Sequence, residues 1–312
     1  MKDKVLRYKQ ERQDRLIQCV AADGMVRIAF IDATSLVREA KQLLKLSRVA
    51  TAAMGRQLMM TAIMSADLKG ERDLVSTILK GDGPAGSMIC TGNSRLEVKG
   101  SVINPAVELP VSELGKLDVG GFVGHSGKLS VVSDLGLKEP YVGLSNLVTG
   151  EIAVDFAYYY AASLQRPVLI YLGVRVRVKM GDVRAAVGVF AEPLPGCPDD
   201  VIDRMQAKSA DIAQFSERLE AGETPEELLE SAFGEFSLVY AGEREPLYRC
   251  DCSRERIERA LISTGHEELS DMIEEDHGAE VTCRFCDQIY QFTEEDLRAL
   301  QKAATTRDDE DE

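Results

Sequence analysis

The sequence has no run of about 18 consecutive apolar residues, the least a membrane-spanning helix needs, so an integral helical membrane protein is excluded. Its charged opening, MKDKVLRYKQERQDR, has no apolar stretch behind it, so no secretory signal is expected and a cytoplasmic location is the default. Positive charge is in deficit: 37 Lys and Arg stand against 52 Asp and Glu, for a net −15. That argues against nucleic acid as the main partner, because phosphate binding needs a dominant basic face. The loop Gly81-Asp82-Gly83-Pro84-Ala85-Gly86 lacks the Lys-Ser/Thr of a phosphate loop and reads as a hairpin turn. His125 stands alone in GFVGHSGKLS as a turn residue, which leaves a hydrolase with little support.

What is present is enough for a real core: 45% hydrophobic and 29% charged residues over 312 positions, a length that suggests two or three domains. Charge is unevenly placed, +6 over residues 1–190 and −21 over 191–312, and the change falls near Pro193-Leu194-Pro195-Gly196. Before it, two apolar runs between Leu16 and Ile31 flank Asp23-Gly24, a hairpin signal. Helices are expected over 34–46 and 48–68, with Ser47 capping the second. Strand-like runs follow at Asp73–Lys80, Ser87–Thr91, Arg95–Ile103 and Leu129–Ser133, then a helix at Glu151–Gln165. A strand over Val168–Val178, alternating at Val174, Val176 and Val178, pairs with Val183–Ala191. The fold class is therefore α+β: an N-terminal antiparallel-sheet domain with helices over 1–192, a helical linker over 193–238, a small C-terminal zinc-binding domain over 239–300 and an acidic tail over 301–312.

In the linker Val201, Ile202, Met205, Ile212, Phe215 and Leu219 fall on one helical face. Thr224-Pro225-Glu226-Glu227 starts a further helix, with Thr as N-cap, Pro first and Glu third. Helices this short make no core of their own, so they must pack on something. In the last unit Ser253 can cap Arg254–Ile262, an acidic helix is expected over Gly265–Asp276, and Thr293 can cap a helix running to Leu300. The closing RDDEDE is expected to be a solvated, disordered tail.

Cysteine carries the chemistry. Cys19, Cys90 and Cys197 are scattered and read as small buried hydrophobes or bystander thiols. Cys250-x-Cys252 and Cys283-x-x-Cys286 form two pairs thirty residues apart, a spacing that in a reducing compartment points to metal or redox chemistry. A knuckle supplies Cys283 and Cys286, an extended stretch supplies Cys250 and Cys252, and together they make a tetrahedral four-cysteine zinc site, one ion per chain. His266 and His277, each on an acidic helix, read as surface residues rather than ligands. A unit of this size is marginal without a staple, so losing the metal should unfold it. Oxidation is expected to pair each cysteine with its sequence neighbour; a Cys250–Cys252 bond bends the backbone and cannot coexist with an intact knuckle.

These residues resemble a known family, the redox-regulated chaperone heat-shock protein 33. The likeness rests on CDC at Cys250–Cys252, TCRFC at Thr282–Cys286, the intervening SRERIERALISTG, the KGDGPAG turn at Lys80–Gly86, GLKEPYVG at Gly136–Gly143, VTGEIAVDFAYYYAAS at Val148–Ser163 and LPG at Leu194–Gly196. The resemblance implies a holdase that works without ATP rather than an enzyme. It implies zinc on Cys250, Cys252, Cys283 and Cys286 in the reduced state. Oxidation would then release the metal, form Cys250–Cys252 and Cys283–Cys286 disulfides, and unfold the zinc unit and the linker. It further implies capture of unfolding client proteins, dimerisation of the chain on activation and transfer of clients to ATP-dependent chaperones. With the linker composition, it makes Ile202, Met205, Ile212, Phe215, Leu219 and Leu228 the candidate client-binding residues.

Two other classes compete. A zinc-ribbon nucleic-acid binder fits the cysteines but is opposed by −12 over residues 241–312. A thiol–disulfide oxidoreductase fits Cys283-x-x-Cys286 but lacks the βαβ context that puts such a pair at a helix start.

Overall fold

The computed structural model describes residues 13–111, 116–177 and 179–308. They belong to two compact units, Met1–Arg249 and Cys250–Glu312, each with its own apolar core.

In the first unit, β1 (Arg15–Ala21) and β2 (Val26–Asp32) form the expected antiparallel hairpin around Asp23-Gly24. Ala22, Asp23 and Gly24 all have positive φ (51°, 53° and 83°), the region in which Gly carries no steric penalty. Then come α1 (Thr34–Leu43) and α2 (Arg48–Ser65), the latter capped by Ser47, whose hydroxyl accepts from Ala50 N–H at 3.1 Å. Helix α2 is rich in Ala, Met and Thr and is buried all round, because strands pack against it from both sides. Several of its polar groups bond internally: Gln57 Nε2 donates to Thr77 O at 2.9 Å, Thr61 Oγ1 lies 2.8 Å from Thr77 Oγ1, and Ser65 donates to Thr61 O at 2.7 Å, while Gln57 Oε1 and Arg56 Nε are buried without a partner.

The chain continues through β3 (Leu74–Gly81), β4 (Ser87–Asn93), β5 (Glu97–Val102), α3 (Val119–Val123), β6 (Gly127–Asp134), β7 (Tyr141–Asn146), α4 (Ala153–Ser163), β8 (Leu169–Val176) and β9 (Val183–Pro193). The Gly81–Gly86 stretch is the β3–β4 turn, and a Cβ at Gly83 would sit 2.5 Å from Phe122 O, so this turn needs glycine to lie against α3. Val178, expected to extend β8, lies outside the described residues. Strand β7 and the short α3 were not expected; β7 is exposed along most of its length and shows little alternation.

Past Gly196 the apolar residues lie on four short helices, α5 (Asp199–Ala207), α6 (Ser209–Ile212), α7 (Phe215–Ala221) and α8 (Pro225–Phe233), followed by a 3-10 turn at Gly234–Phe236. Thr224 and Glu227 make the reciprocal capping box at the start of α8. Then β10 (Val239–Arg244) and β11 (Leu247–Tyr248) close the unit. One sheet has the order β10-β1-β2-β9-β8, the other β11-β5-β4-β3-β6-β7; every pairing is antiparallel except β11 on β5. The boundary expected at residue 239 thus differs from that of the structure. Residues 239–248 pair with β1 and β5, so the compact units divide after Arg249 and the linker helices belong to the first unit.

Two cores result. One face of the first sheet, α2 and the inner face of the second sheet make the larger. On the other face of the first sheet, Ile17, Ile28, Phe30, Val187 and Val189 pack against Met205, Ile212, Phe215, Leu219, Leu228, Leu229 and Phe233 of the linker helices. The second unit is built from α9 (Arg254–Ile262), α10 (His266–Glu274), the antiparallel pair β12 (Gly278–Thr282) and β13 (Ile289–Thr293), and α11 (Glu294–Asp308). The last helix runs beyond Leu300 into the expected tail; the rest of the acidic end lies outside the described residues.

A buried carboxyl supports the start of α1. Residue Ala33 has no capping side chain, and Asp14 acts from the open end of the hairpin, accepting from Ser35 N–H at 2.8 Å and Leu36 N–H at 2.6 Å. Burial first, then the neighbouring Asp32, push the Asp14 pKa up from 3.8 to about 7, against the lowering effect of those amides. Between about pH 4 and pH 7 the native state therefore keeps a proton that the unfolded chain has released, and stability falls as pH rises through that window. The slope approaches about 1.4 kcal/mol per pH unit at its steepest. Urea unfolding of Asp14→Asn and the parent chain, followed at pH 5 and pH 7.5, is expected to show the slope in the parent only.

Candidate metal centre

Each half of the site is held by local structure. Cys250 and Cys252 lie in the irregular segment that enters α9, whose N-cap Ser253 accepts from Arg256 N–H at 3.3 Å. Cys283 and Cys286 lie in the β12–β13 turn, closed by Cys283 N–H to Gln288 O and Asp287 N–H to Cys283 O, both 2.9 Å. Asp287 adopts φ 59° to complete that turn. Helix α9 is tied to the hairpin by Arg254, which covers the Phe292 ring at 4.4 Å, donates to Gln291 O at 2.9 Å and pairs with Asp296 at 3.0 Å. This brings the two cysteine pairs together.

The four sulfurs all lie within 4.8 Å of one another. Cys250 Sγ is 3.6 Å from Cys283 Sγ, and Cys252 Sγ is 3.4 Å from Cys286 Sγ. Four thiolates about 2.3 Å from a common tetrahedral ion would be about 3.8 Å apart, so the cluster has the donor set and spacing of a structural metal site and is compatible with zinc. Neither His266 nor His277 belongs to it, and both are exposed.

Proton binding describes the same cluster. Burial, followed by hydrogen bonding among the thiols, raises Cys250 strongly, and burial chiefly holds Cys286 at about 11. Cys252 goes the other way: burial opposes its ionisation, but donation from Tyr290 Oη at 3.1 Å and from the neighbouring thiols outweighs it. Cys252 is thus pushed towards the thiolate while Cys250 and Cys286 are held protonated, and a bound dication would favour the ionised ligands. Nothing in the sequence marks Tyr290, because only the register of β13 brings its hydroxyl to Cys252. The Cys-x-x-Cys pair sits in a β-turn and not at a helix start, so it lacks the helix-dipole stabilisation of a redox-enzyme thiolate.

The other singled-out residues lie in the first unit. Met205, Ile212, Phe215, Leu219 and Leu228 are buried on the first sheet, whereas Ile202 is half-buried on α5 outside that cluster, and its neighbour Val201 packs there instead. Phe215 meets Phe30 with ring centroids 6.3 Å apart. Cys19 and Cys90 are buried, and Cys197 is partly exposed where the linker begins. His125 occupies a turn, with Nδ1 2.8 Å from Thr149 O. Among the described residues no helix is long and apolar enough to cross a membrane.

Comparison with known proteins gives one answer. The model of the family described as Hsp33 protein matches residues 14–293. A 33 kDa chaperonin of Acetivibrio thermocellus is 42% identical over 290 residues, 93% of this chain and 97% of the relative. One from Caldanaerobacter subterraneus subsp. tengcongensis is 41% identical over 292 residues, 93% of this chain and 99% of the relative. The crystal structure of the 33 kDa chaperonin (heat shock protein 33 homolog) of Thermotoga maritima superposes with a TM-score of 0.84 at 33% identity, covering 95% of this chain and 100% of that one.

Metal affinity reads the site directly. Loss of the Tyr290 donor in Tyr290→Phe is expected to weaken binding by about 10- to 100-fold, and Cys252→Ser by more. Competition for the ion against a chromophoric chelator measures both. Affinity should rise with pH, since thiols must lose protons to become ligands; a pH-independent affinity would contradict thiolate ligation.

Proposed function

The chain belongs to the Hsp33 family, whose curated members are named chaperonins, and on that premise we propose that it is an ATP-independent holdase switched on by oxidation of Cys250, Cys252, Cys283 and Cys286. The observation that carries the reading is the meeting of these four thiols in a unit whose fully buried apolar core otherwise consists of Leu261, Leu269, Ile273, Phe292 and Leu297. So small a core cannot fold a unit alone. Zinc bound to the four thiolates would contribute on the order of 10 kcal/mol to its folding.

In this mechanism oxidation removes two electrons for each disulfide formed. Hydrogen peroxide accepts both electrons as its O–O bond breaks, takes up two protons and leaves as two waters. Sulfurs joined to each other no longer serve as metal ligands, and the second unit loses its staple. The chain between it and the linker is only lightly held by the first unit. Strand β11 is two residues long, and β10 is an edge strand with most of its residues exposed. Unravelling can therefore proceed from Cys250 back through β11 and β10 to α8. The linker helices then leave the first sheet, and Ile202, Met205, Ile212, Phe215, Leu219 and Leu228 join the uncovered sheet face as a client-binding surface. Unfolding proteins are the partners, with dimerisation of the active chain and hand-over to ATP-dependent chaperones completing the cycle in the cytoplasm.

Disulfide pairing tests the order of events. In the folded unit the close approaches run across the two segments, Cys250 to Cys283 and Cys252 to Cys286. Bonds between sequence neighbours form once the unit opens, since short loops close at least entropic cost. Peptide mapping after peroxide is expected to give Cys250–Cys252 and Cys283–Cys286. Mainly cross-segment bonds would mean that oxidation staples the folded unit instead of opening it.

Linker release is tested separately. Phe215→Ser removes a ring buried on Phe30 and should loosen docking by at least about 3 kcal/mol. The expected outcome is partial suppression of client aggregation while still reduced and weaker client affinity once oxidised. Hydrogen exchange over residues 199–233 that is unchanged by oxidation would overturn the release step.

A further inference from the structure

The first sheet ends at β8, and among the described residues no strand pairs with its outer edge. A cleft of about 680 Å³ runs along that edge, lined by the consecutive residues 171–177. Helix α2 forms one wall with Ala52 and Arg56, and the linker forms the other with Ala213, Ser216 and Glu220. An open strand edge at the bottom of a cleft offers unpaired backbone donors and acceptors to an extended polypeptide.

The lining is strongly basic. Arg56, Lys116, Arg175, Arg177 and Arg184 face Glu151 and Glu220. Arg56 makes an ion pair with Glu151, yet its Nε is buried with no hydrogen-bond partner. The linker already shows what these arginines accept. Arg175 Nε donates to Glu220 at 2.6 Å and its guanidinium reaches Glu217 at 3.7 Å, while Arg184 Nε donates to the other Glu220 oxygen at 3.2 Å. Arg177 is paired with Asp182 at 3.3 Å. Two carboxylates of α7 thus occupy sites at the margin of the cleft, and both depart if the linker undocks.

We propose that this cleft receives an extended acidic polypeptide segment, which adds a strand to the open edge of β8 and sets its carboxylates on Arg56, Arg175 and Arg177. Backbone pairing along the edge supplies affinity that does not depend on sequence, and the arginines select for acidic side chains. Docked, the linker competes for Arg175 and Arg184 through Glu217 and Glu220; released, it leaves them to the incoming segment. The site therefore strengthens on activation. The inference rests on the chaperone reading only in taking the segment to be part of an unfolding client.

The test uses the full-length chain, zinc-loaded and reduced or peroxide-treated, and a fluorescein-labelled eight-residue peptide of alternating Val and Glu. Fluorescence anisotropy should show binding in both states, tighter after oxidation. Replacing Glu by Lys in the peptide, or N-methylating alternate backbone amides, should weaken binding by about tenfold or more. Arg177→Gln, which leaves the linker's own contacts with Arg175 and Arg184 in place, should weaken it roughly three- to fivefold. Amide exchange over residues 169–176 should slow when the peptide is bound. Binding that tolerates N-methylation, or a tripolyphosphate probe that displaces the peptide with the same Arg177 dependence and no slowing of exchange, would make the cleft an anion patch and overturn strand addition. Suppression of client aggregation by the parent chain is scored independently: its absence would sink the chaperone reading while leaving the anisotropy result to decide the cleft.

Discussion

A sheet that is apolar on both faces must be covered twice, and the first sheet of this protein is such a sheet. Strand β9 is buried almost from end to end, with Ala186 and Phe190 turned to one core and Ala185, Val187, Val189 and Ala191 to the other. Helix α2 covers the first face from the middle of the main core. The second face is covered by helices of 4 to 9 residues that have no stable existence apart from it. Everything proposed about regulation depends on that asymmetry. A cover made of short helices can leave, and what it leaves behind is a broad apolar surface on a sheet still held by α2.

Polar contacts tune the cover without securing it. Arg15 reaches Glu226 on α8 at 2.6 Å and pairs with Glu243 on β10 as well, while Arg175 and Arg184 hold α7 through Glu220. Against the burial that would raise it, those two guanidiniums keep the Glu220 carboxyl below its ordinary range. Partly exposed pairs of this kind are each worth about 1 kcal/mol or less, so the apolar interface dominates and the ion pairs set register. The second unit has the opposite balance of forces: a slight apolar core and four convergent thiols, an arrangement in which metal ligation and folding would be one equilibrium. In the proposed mechanism the chemically sensitive unit and the first sheet are joined along the chain only through β10, an almost wholly exposed edge strand, and the two-residue β11.

Much of this could be read from the amino acids alone, where local physics decides. The Asp23-Gly24 hairpin, the Ser47 cap, the Thr224–Glu227 capping box and the strand runs of β3 to β6 follow from φ preference, side-chain capping and period-two burial. The four cysteines are legible because thiols are rare and their spacing is short-range. What period and spacing cannot supply is the partner of each face. The linker's apolar stripe is visible at Met205, Ile212, Phe215 and Leu219, but not that these residues are shared among three separate helices that all pack on the first sheet.

Other features belong to the three-dimensional arrangement. Val239–Arg244 carries no inward-facing stripe, since it is an edge strand held by backbone pairing with β1, and so the unit boundary falls after Arg249 and not near 239. The Tyr290 donor at Cys252, the Asp14 cap on an amide 22 residues away and the basic cleft along β8 all bring together residues distant in sequence. Most of the longer helices and inner strands, and which atoms can bind a metal, were written in the order of the amino acids, because those properties depend on neighbours along the chain. Which faces are covered, which edge stays open and which carboxyl keeps its proton was left to the folded molecule, because burial and charge depend on neighbours in space.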